Sequence, residues 1–300
     1  MGQKDLAAKE LESKPDVFAD IINAFVYDGE SVVQPKHLKP APTETVYERT
    51  HKMLHNQYND VSKHEMAGQK IRMQYVLENE STKNYRLILR KAGYEGAVYR
   101  SQYEEKHVYP VIILVLYWGE KKWKPRADLH EFFGKENISE PVGQYIDNIK
   151  LHLFSMAHLP QDIRKRFKSD LRIIVDYLAE GNDYEPTNQK IKYVEPVMRL
   201  LYALTGEWEF ISSIGELTEK QEKGDDVTMC EVVDKFVARG LQQGLQQGRE
   251  RAILELLEEL GNVPRRIVER IRTEDNPDVL SRWHKAAAKS GSIAEFETNM

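Results

Sequence analysis

The chain carries one cysteine, Cys230, in 300 residues, so no intramolecular disulfide can form. That usage fits a reducing compartment and points to a cytoplasmic protein. Long apolar runs are missing too. The longest, VIILVLY at 111–117, has the length of a buried strand and falls far short of the ~20 residues that span a bilayer. No membrane partner is therefore expected. Residues 1–10 alternate charged and small side chains and lack the apolar segment of a secretion signal. A glycine-rich phosphate loop, a GxSxG elbow and a Cys–His pairing are all absent, which argues against nucleotidase, serine-hydrolase and thiol-protease chemistry. His51 and His55 stand at helical i,i+4 spacing, but no Glu follows His51 as a zinc hydrolase would need.

With 41 % hydrophobic and 30 % charged residues and no low-complexity block, the composition is that of a globular protein. Its length exceeds one average domain. The net charge of −5 is unevenly spread: between Lys83 and Arg126 ten Lys or Arg face four Glu, an excess of six positive charges. Such a stretch can bind phosphates, or it can be a solvated surface of uneven charge.

The most telling stretch is residues 69–81. Ile71, Met73, Tyr75 and Leu77 alternate with Arg72, Gln74, Val76, Glu78 and Glu80. This period of two marks a half-buried strand whose wet face ends in two carboxylates. Residues 58–65 read as a preceding strand, with Ala67-Gly68 as the hairpin turn. With a three-residue loop, 67–69, Asp60 lies opposite Val76 and shares the face of Glu78 and Glu80. A two-residue loop turns Asp60 to the apolar face, so the arrangement requires an odd loop or a bulge. Where the parity holds, Asp60 and Glu78 can share a hard divalent cation, with the Asn79 carbonyl as a third oxygen. Glu80 would stand near the attacking water, and Lys83, Arg86 and Arg90, spaced by three and four on the next helix, could hold a nucleic-acid backbone. The alternative is an edge strand whose exposed face carries acids and nothing more.

Around this pair the pattern predicts a helix at 16–27, an extended connector at 34–43, a helix at 81–103, a fully buried strand at 109–118 and helices over 127–203. Residues 44–65 remain ambiguous between helix and strand by pattern alone, apart from the strand at 58–65. Trp118 and Trp123 flank a basic turn at 119–126, where they could stack on bases or serve as core aromatics. The reading divides the chain into an α/β domain with a helical extension at 1–215, a polar linker at 216–226 and a helical tail at 227–300. Within the tail, Gly240, Gly244 and Gly248 are four apart, and each costs about 1 kcal/mol against alanine inside a helix. Close approach of another helix, as in a homo-oligomer, is one reason for them; a flexible or weakly helical joint is the other.

The run Asp60…Val76-Leu77-Glu78-Asn79-Glu80-Ser81-Thr82 resembles the active-site strand pair of the recombination-promoting nuclease (Rpn) family, also called YhgA-like putative transposases, within the PD-(D/E)XK nuclease superfamily. The likeness continues through GYEGAVYRSQ (93–102), YPVIILVLYWG (109–119), FKSDLRIIVDY (167–177), MCEVVD (229–234) and the glycine-spaced helix. It implies a PD-(D/E)XK, restriction-endonuclease-like core, a mixed sheet flanked by helices. It further implies a Mg2+-dependent DNA endonuclease of low sequence specificity, linked to recombination of mobile or transferred DNA, with Asp60 and Glu78 as ligands of magnesium or another divalent cation. An early helix packed beside the site, with Asp16 or Asp20 at hand, is also implied. Where the family has a neutral Gln, this chain has Glu80, which adds a charge and removes an NH2 donor. A catalytically weak DNA-binding or protein-interaction module of the same fold is the other function open to it.

Overall fold

In the computed structural model the described residues are 2–49, 53–58, 60–134 and 136–300, without the side chains of 44–49, 53–58, Arg239 and Gln243. The chain divides into two compact units, Met1–Met229 and Cys230–Met300.

The first unit opens with two helices, α1 (Gln3–Glu12) and α2 (Pro15–Val26), the latter starting on a proline and burying Val17, Phe18, Ile21 and Ile22. Strands β1 (Leu38–Pro40), β2 (Glu44–Arg49), β3 (Met53–Tyr58), β4 (Val61–Ala67) and β5 (Lys70–Glu80) follow, then helix α3 (Leu87–Ser101) and strand β6 (Val111–Tyr117). Two short helices, α4 (Leu129–Phe133) and α5 (Glu140–Gly143), lead to β7 (His152–Ser155). Helices α6 (Gln161–Arg164), α7 (Leu171–Glu180), α8 (Val194–Thr205) and α9 (Trp208–Glu222) complete the unit.

Five strands form one mixed sheet in the order β1-β4-β5-β6-β7, and β2 pairs with β3 in a separate two-stranded ribbon. Pairing of β4 with β5 is antiparallel, whereas β5, β6 and β7 run parallel. Parallel neighbours require a crossover, and α3 supplies it between β5 and β6. Val76, Val111 and Ile113 pack against Tyr94 and Val98 of that helix. The face of β5 that carries Glu78 and Glu80 is consequently covered, where the alternation alone predicts a wet face: every residue from Gln74 to Glu80 is buried. The apolar run at 111–117 lies in the middle of the sheet, as a run without alternation should.

Several expectations are corrected. Residues 44–49 and 53–58 are strand, so His55 does not lie on a helix; His51 falls outside the described residues. The helix expected from Ser81 begins at Leu87, which leaves Lys83 and Arg86 in the preceding loop. The proposed linker at 216–226 is mostly the end of α9, with Leu217 fully buried, and Val227 and Met229 are also core residues. Glu216, Glu219 and Glu222 are on the solvent face of that packed helix, and Lys223, Asp225 and Asp226 follow its end.

The second unit is built from α10 (Met229–Glu259), α11 (Arg265–Arg272), α12 (Pro277–Ala287) and α13 (Ile293–Asn299). Ile253 and Leu257 bury against Ile267, Ile271, Leu280, Trp283 and Phe296. Upstream in α10, a Cβ placed at Gly240, Gly244 or Gly248 would meet no heavy atom within 4 Å among the described residues. Among those residues, too, no helix is long and apolar enough to cross a membrane.

Candidate active site

The register of the β4–β5 hairpin decides where Asp60 points. Ala67 pairs with Lys70, so the loop is the two residues Gly68 and Gln69, with Gly68 at φ 66°. That turn alone would place Asp60 on the apolar face. However, Met66 pairs with Ile71 while Glu65 pairs with Met73, which leaves Arg72 as a bulge residue. The bulge restores the parity. From there the ladder runs to Val61↔Leu77, and its next step sets Asp60 beside Glu78. The expected three-residue loop opposite Val76 is thus replaced by a two-residue loop with a bulge, and Asp60 still shares a face with Glu78.

Asp60 is fixed from the neighbouring strand: its Oδ2 accepts the Asn79 backbone N–H at 2.7 Å. The Asn79 side chain turns to the opposite face. There its Nδ2 donates to Glu12 Oε2 at 2.7 Å, and its Oδ1 accepts the Trp118 indole N–H at 2.6 Å. Arg90 of α3 donates to Glu78 Oε2 at 3.3 Å and to Glu80 Oε1.

Four buried carboxylates, Glu12, Asp60, Glu78 and Glu80, therefore gather at the ends of β4 and β5, where Arg90 pairs with two of them. Burial in a poor solvent for charge pushes Glu78 up to about 8, and Asp60 adds to this by repulsion while Arg90 opposes it. Burial also raises Glu12 to about 8, against the Asn79 hydrogen bond, and Asp60 and Asp5 push it the same way. Asp60 and Glu80 are both raised, again chiefly by burial; the Asn79 N–H tempers the first and Arg90 the second. Such a cluster needs protons or a cation.

The donor set suits a hard cation. Glu78 Oε1 is buried with no hydrogen-bond partner among the described residues, an orphan that a ligand would satisfy. No group of three or more His, Cys, Asp or Glu is arranged as a metal cage among those residues. Magnesium does not require one: it is commonly held by one or two carboxylates, with water and phosphate oxygens as its other ligands. Asp60 and Glu78 fit that smaller set.

Of the other residues singled out in the sequence, Lys83 and Arg86 are exposed just beyond β5, while Arg90 turns inward to the acids. Trp118 and Trp123 are buried, so they act as core aromatics. Asp16 binds Lys192 and Tyr193, and Asp20 accepts the backbone N–H groups of Lys168 and Ser169; both are structural. Glu12, which reaches the site from α1, carried no signal of its own, because its helix has almost no apolar stripe. Two alanines and two leucines in ten residues leave it looking like a charged leader.

A mixed sheet flanked by helices, with carboxylates converging from two adjacent strands, is a nuclease-like α/β core. The family described as "Putative transposase, YhgA-like" matches residues 51–203, just over half of the chain, and the chain belongs to that family. No curated protein and no solved structure matches it.

Proposed function

We propose that this protein is a divalent-metal-dependent DNA endonuclease of low sequence specificity. The observation that carries the reading is the placement of Asp60 and Glu78 side by side on one buried face, brought there by the Arg72 bulge. Asp60 and Glu78 would hold the cation, with the Asn79 carbonyl as a third protein oxygen. A magnesium ion bound there would stabilise charge on the attacked phosphate and make water a better nucleophile. Glu80 accepts a hydrogen bond from the attacking water and orients it. Arg90 holds Glu80 and Glu78 in place, and Lys83 and Arg86, on the loop that leaves β5, contact the DNA backbone.

Nicking of supercoiled plasmid by the full chain with Mg2+ tests this. Activity should be present and should vanish in Asp60→Ala and Glu78→Ala; activity that persists in both variants would reject these roles. One observation favours a second reading, a DNA-binding module with little catalysis: the Arg90 guanidinium already neutralises part of the acid cluster and engages Glu80, the residue that replaces the family Gln. Glu80→Gln separates the two. A gain of nicking would show that Glu80 restrains a competent site, and continued absence of nicking would favour the binding module.

A further inference from the structure

Beside the acids lies a cleft of about 390 Å3 at the N-terminal end of α3. Its walls are apolar: Leu87 and Ile88 of α3, Phe132 of α4, and Leu151. They are continuous with a buried cluster that includes Val115, Tyr117 and Trp123. Tyr117 of that cluster pairs with Glu80 across the β5–β6 ladder, so the apolar layer behind the cleft lies one strand, roughly 5 Å, from Glu80. At the mouth stands Tyr85, 73 % exposed, its ring edge-to-face with buried Trp123 at 6.1 Å. Asn84 adds a carboxamide, able to donate and accept.

The rim is strongly positive. Lys124 and Arg126 line the cleft, and Arg126 is anchored there by donating to the Phe132 carbonyl and lying over its ring. Lys121 and Lys122 continue this loop, and Lys83 and Arg86 are exposed in the loop that carries Asn84 and Tyr85. An apolar slot with a solvent-facing aromatic ring, two cations in its lining and four more exposed on the loops that form it, has the complementarity of a nucleotide: a planar base within and anionic phosphates outside. A base stacked in a duplex cannot enter such a hole, whereas an unpaired or extruded one can.

We infer that this cleft takes one unstacked base of single-stranded or locally opened DNA and so sets the substrate strand beside Glu80. The inference deepens the nuclease reading by naming the form of DNA at that site, and it takes DNA as the substrate from that reading. The test uses the full-length protein in metal-free buffer at fixed salt, with a labelled oligothymidine and a duplex of equal length as probes in fluorescence anisotropy. The single strand should bind more tightly. Tyr85→Ala should weaken single-strand binding about tenfold, in line with the stacking energy of one base, and should weaken duplex binding far less. Tyr85→Trp should restore it. Equal losses on both probes, or none on either, would overturn the pocket. Plasmid nicking measured alongside separates the two claims. Nicking without a Tyr85-dependent single-strand preference removes the pocket alone; Tyr85-dependent single-strand binding without nicking removes the nuclease reading and keeps the pocket.

Discussion

The Asn79 backbone N–H donates to Asp60 Oδ2 at 2.7 Å, so the acid that precedes β4 is held by the strand that carries Glu78 and Glu80. The same residue ties that strand to α1 through its side chain and Glu12. Asn79 thus joins the two halves of the acid cluster, one through its backbone and the other through its amide. Neither half is free to relax away from the other, and their mutual repulsion is built into the folded protein.

Replacing Asp60 tests charge and hydrogen bonding separately. Asp60→Asn keeps an oxygen acceptor for the Asn79 N–H and removes the negative charge. Mg2+-dependent nicking should fall by about 100-fold or more, with the denaturation midpoint unchanged or raised, because repulsion on Glu78 and Glu12 is relieved. Asp60→Ala should lose the same activity and also destabilise by roughly 1–3 kcal/mol, as a buried N–H loses its acceptor. Equal stability of the Asn and Ala variants in urea would show that the bond is dispensable.

Repulsion also sets a pH dependence. Glu78 and Glu12 are held near 8 in the folded chain against an ordinary 4.5, so between those values the folded state binds more protons than the unfolded one. Their contribution is fully present below pH 4.5 and is lost as the pH rises to 8. Urea midpoints of the metal-free protein should therefore fall from about pH 5 to about pH 8, and Glu78→Gln, which cannot ionise, should flatten the slope. A wild-type midpoint that rises over this range would contradict the assigned burial of these carboxyls.

Much of this arrangement was legible in the residues. Strong periodicity located α2, β5 and β6, and the need for an odd loop or bulge was evident from the turn. What escaped was set by tertiary contact. The alternation of Glu78 and Glu80 reads as solvent exposure, yet the β5–β6 crossover lays α3 over that face and Arg90 answers the charge. Helix α1 has too few apolar residues to announce itself, and Glu12 is buried where it accepts from the Asn79 amide, a contact between distant parts of the chain. Strand β1 spans three residues, one of them Pro40, and β7 spans four; both are held by their neighbours rather than by composition.

Arg90 is the counter-charge most directly placed on the cluster. Arg90→Ala should destabilise the metal-free protein by about 2 kcal/mol, below the usual range for a broken buried pair because its side chain is 35 % exposed. Adding Glu80→Gln should recover part of that loss. The guanidinium and a bound cation answer the same carboxylates, so Mg2+ should raise the melting temperature of Arg90→Ala more than that of the wild type. Equal shifts would show that Arg90 and the cation do not compete for Glu78.

Glu12 tests whether α1 belongs to the site or only to the fold. Its Oε2 accepts from Asn79, while its Oε1 is buried with no partner among the described residues. Glu12→Gln keeps the acceptor and removes a charge that burial disfavours, so the metal-free protein should be at least as stable and should lose part of its pH slope. Glu12→Ala strands the Asn79 amide and should cost roughly 1–3 kcal/mol. If Glu12 serves only to hold Asn79, the Gln variant nicks plasmid at the wild-type rate. If its charge acts on the cation site through Asp60, nicking in the Gln variant falls while its folding stability does not, and that divergence is read from the two assays on one preparation.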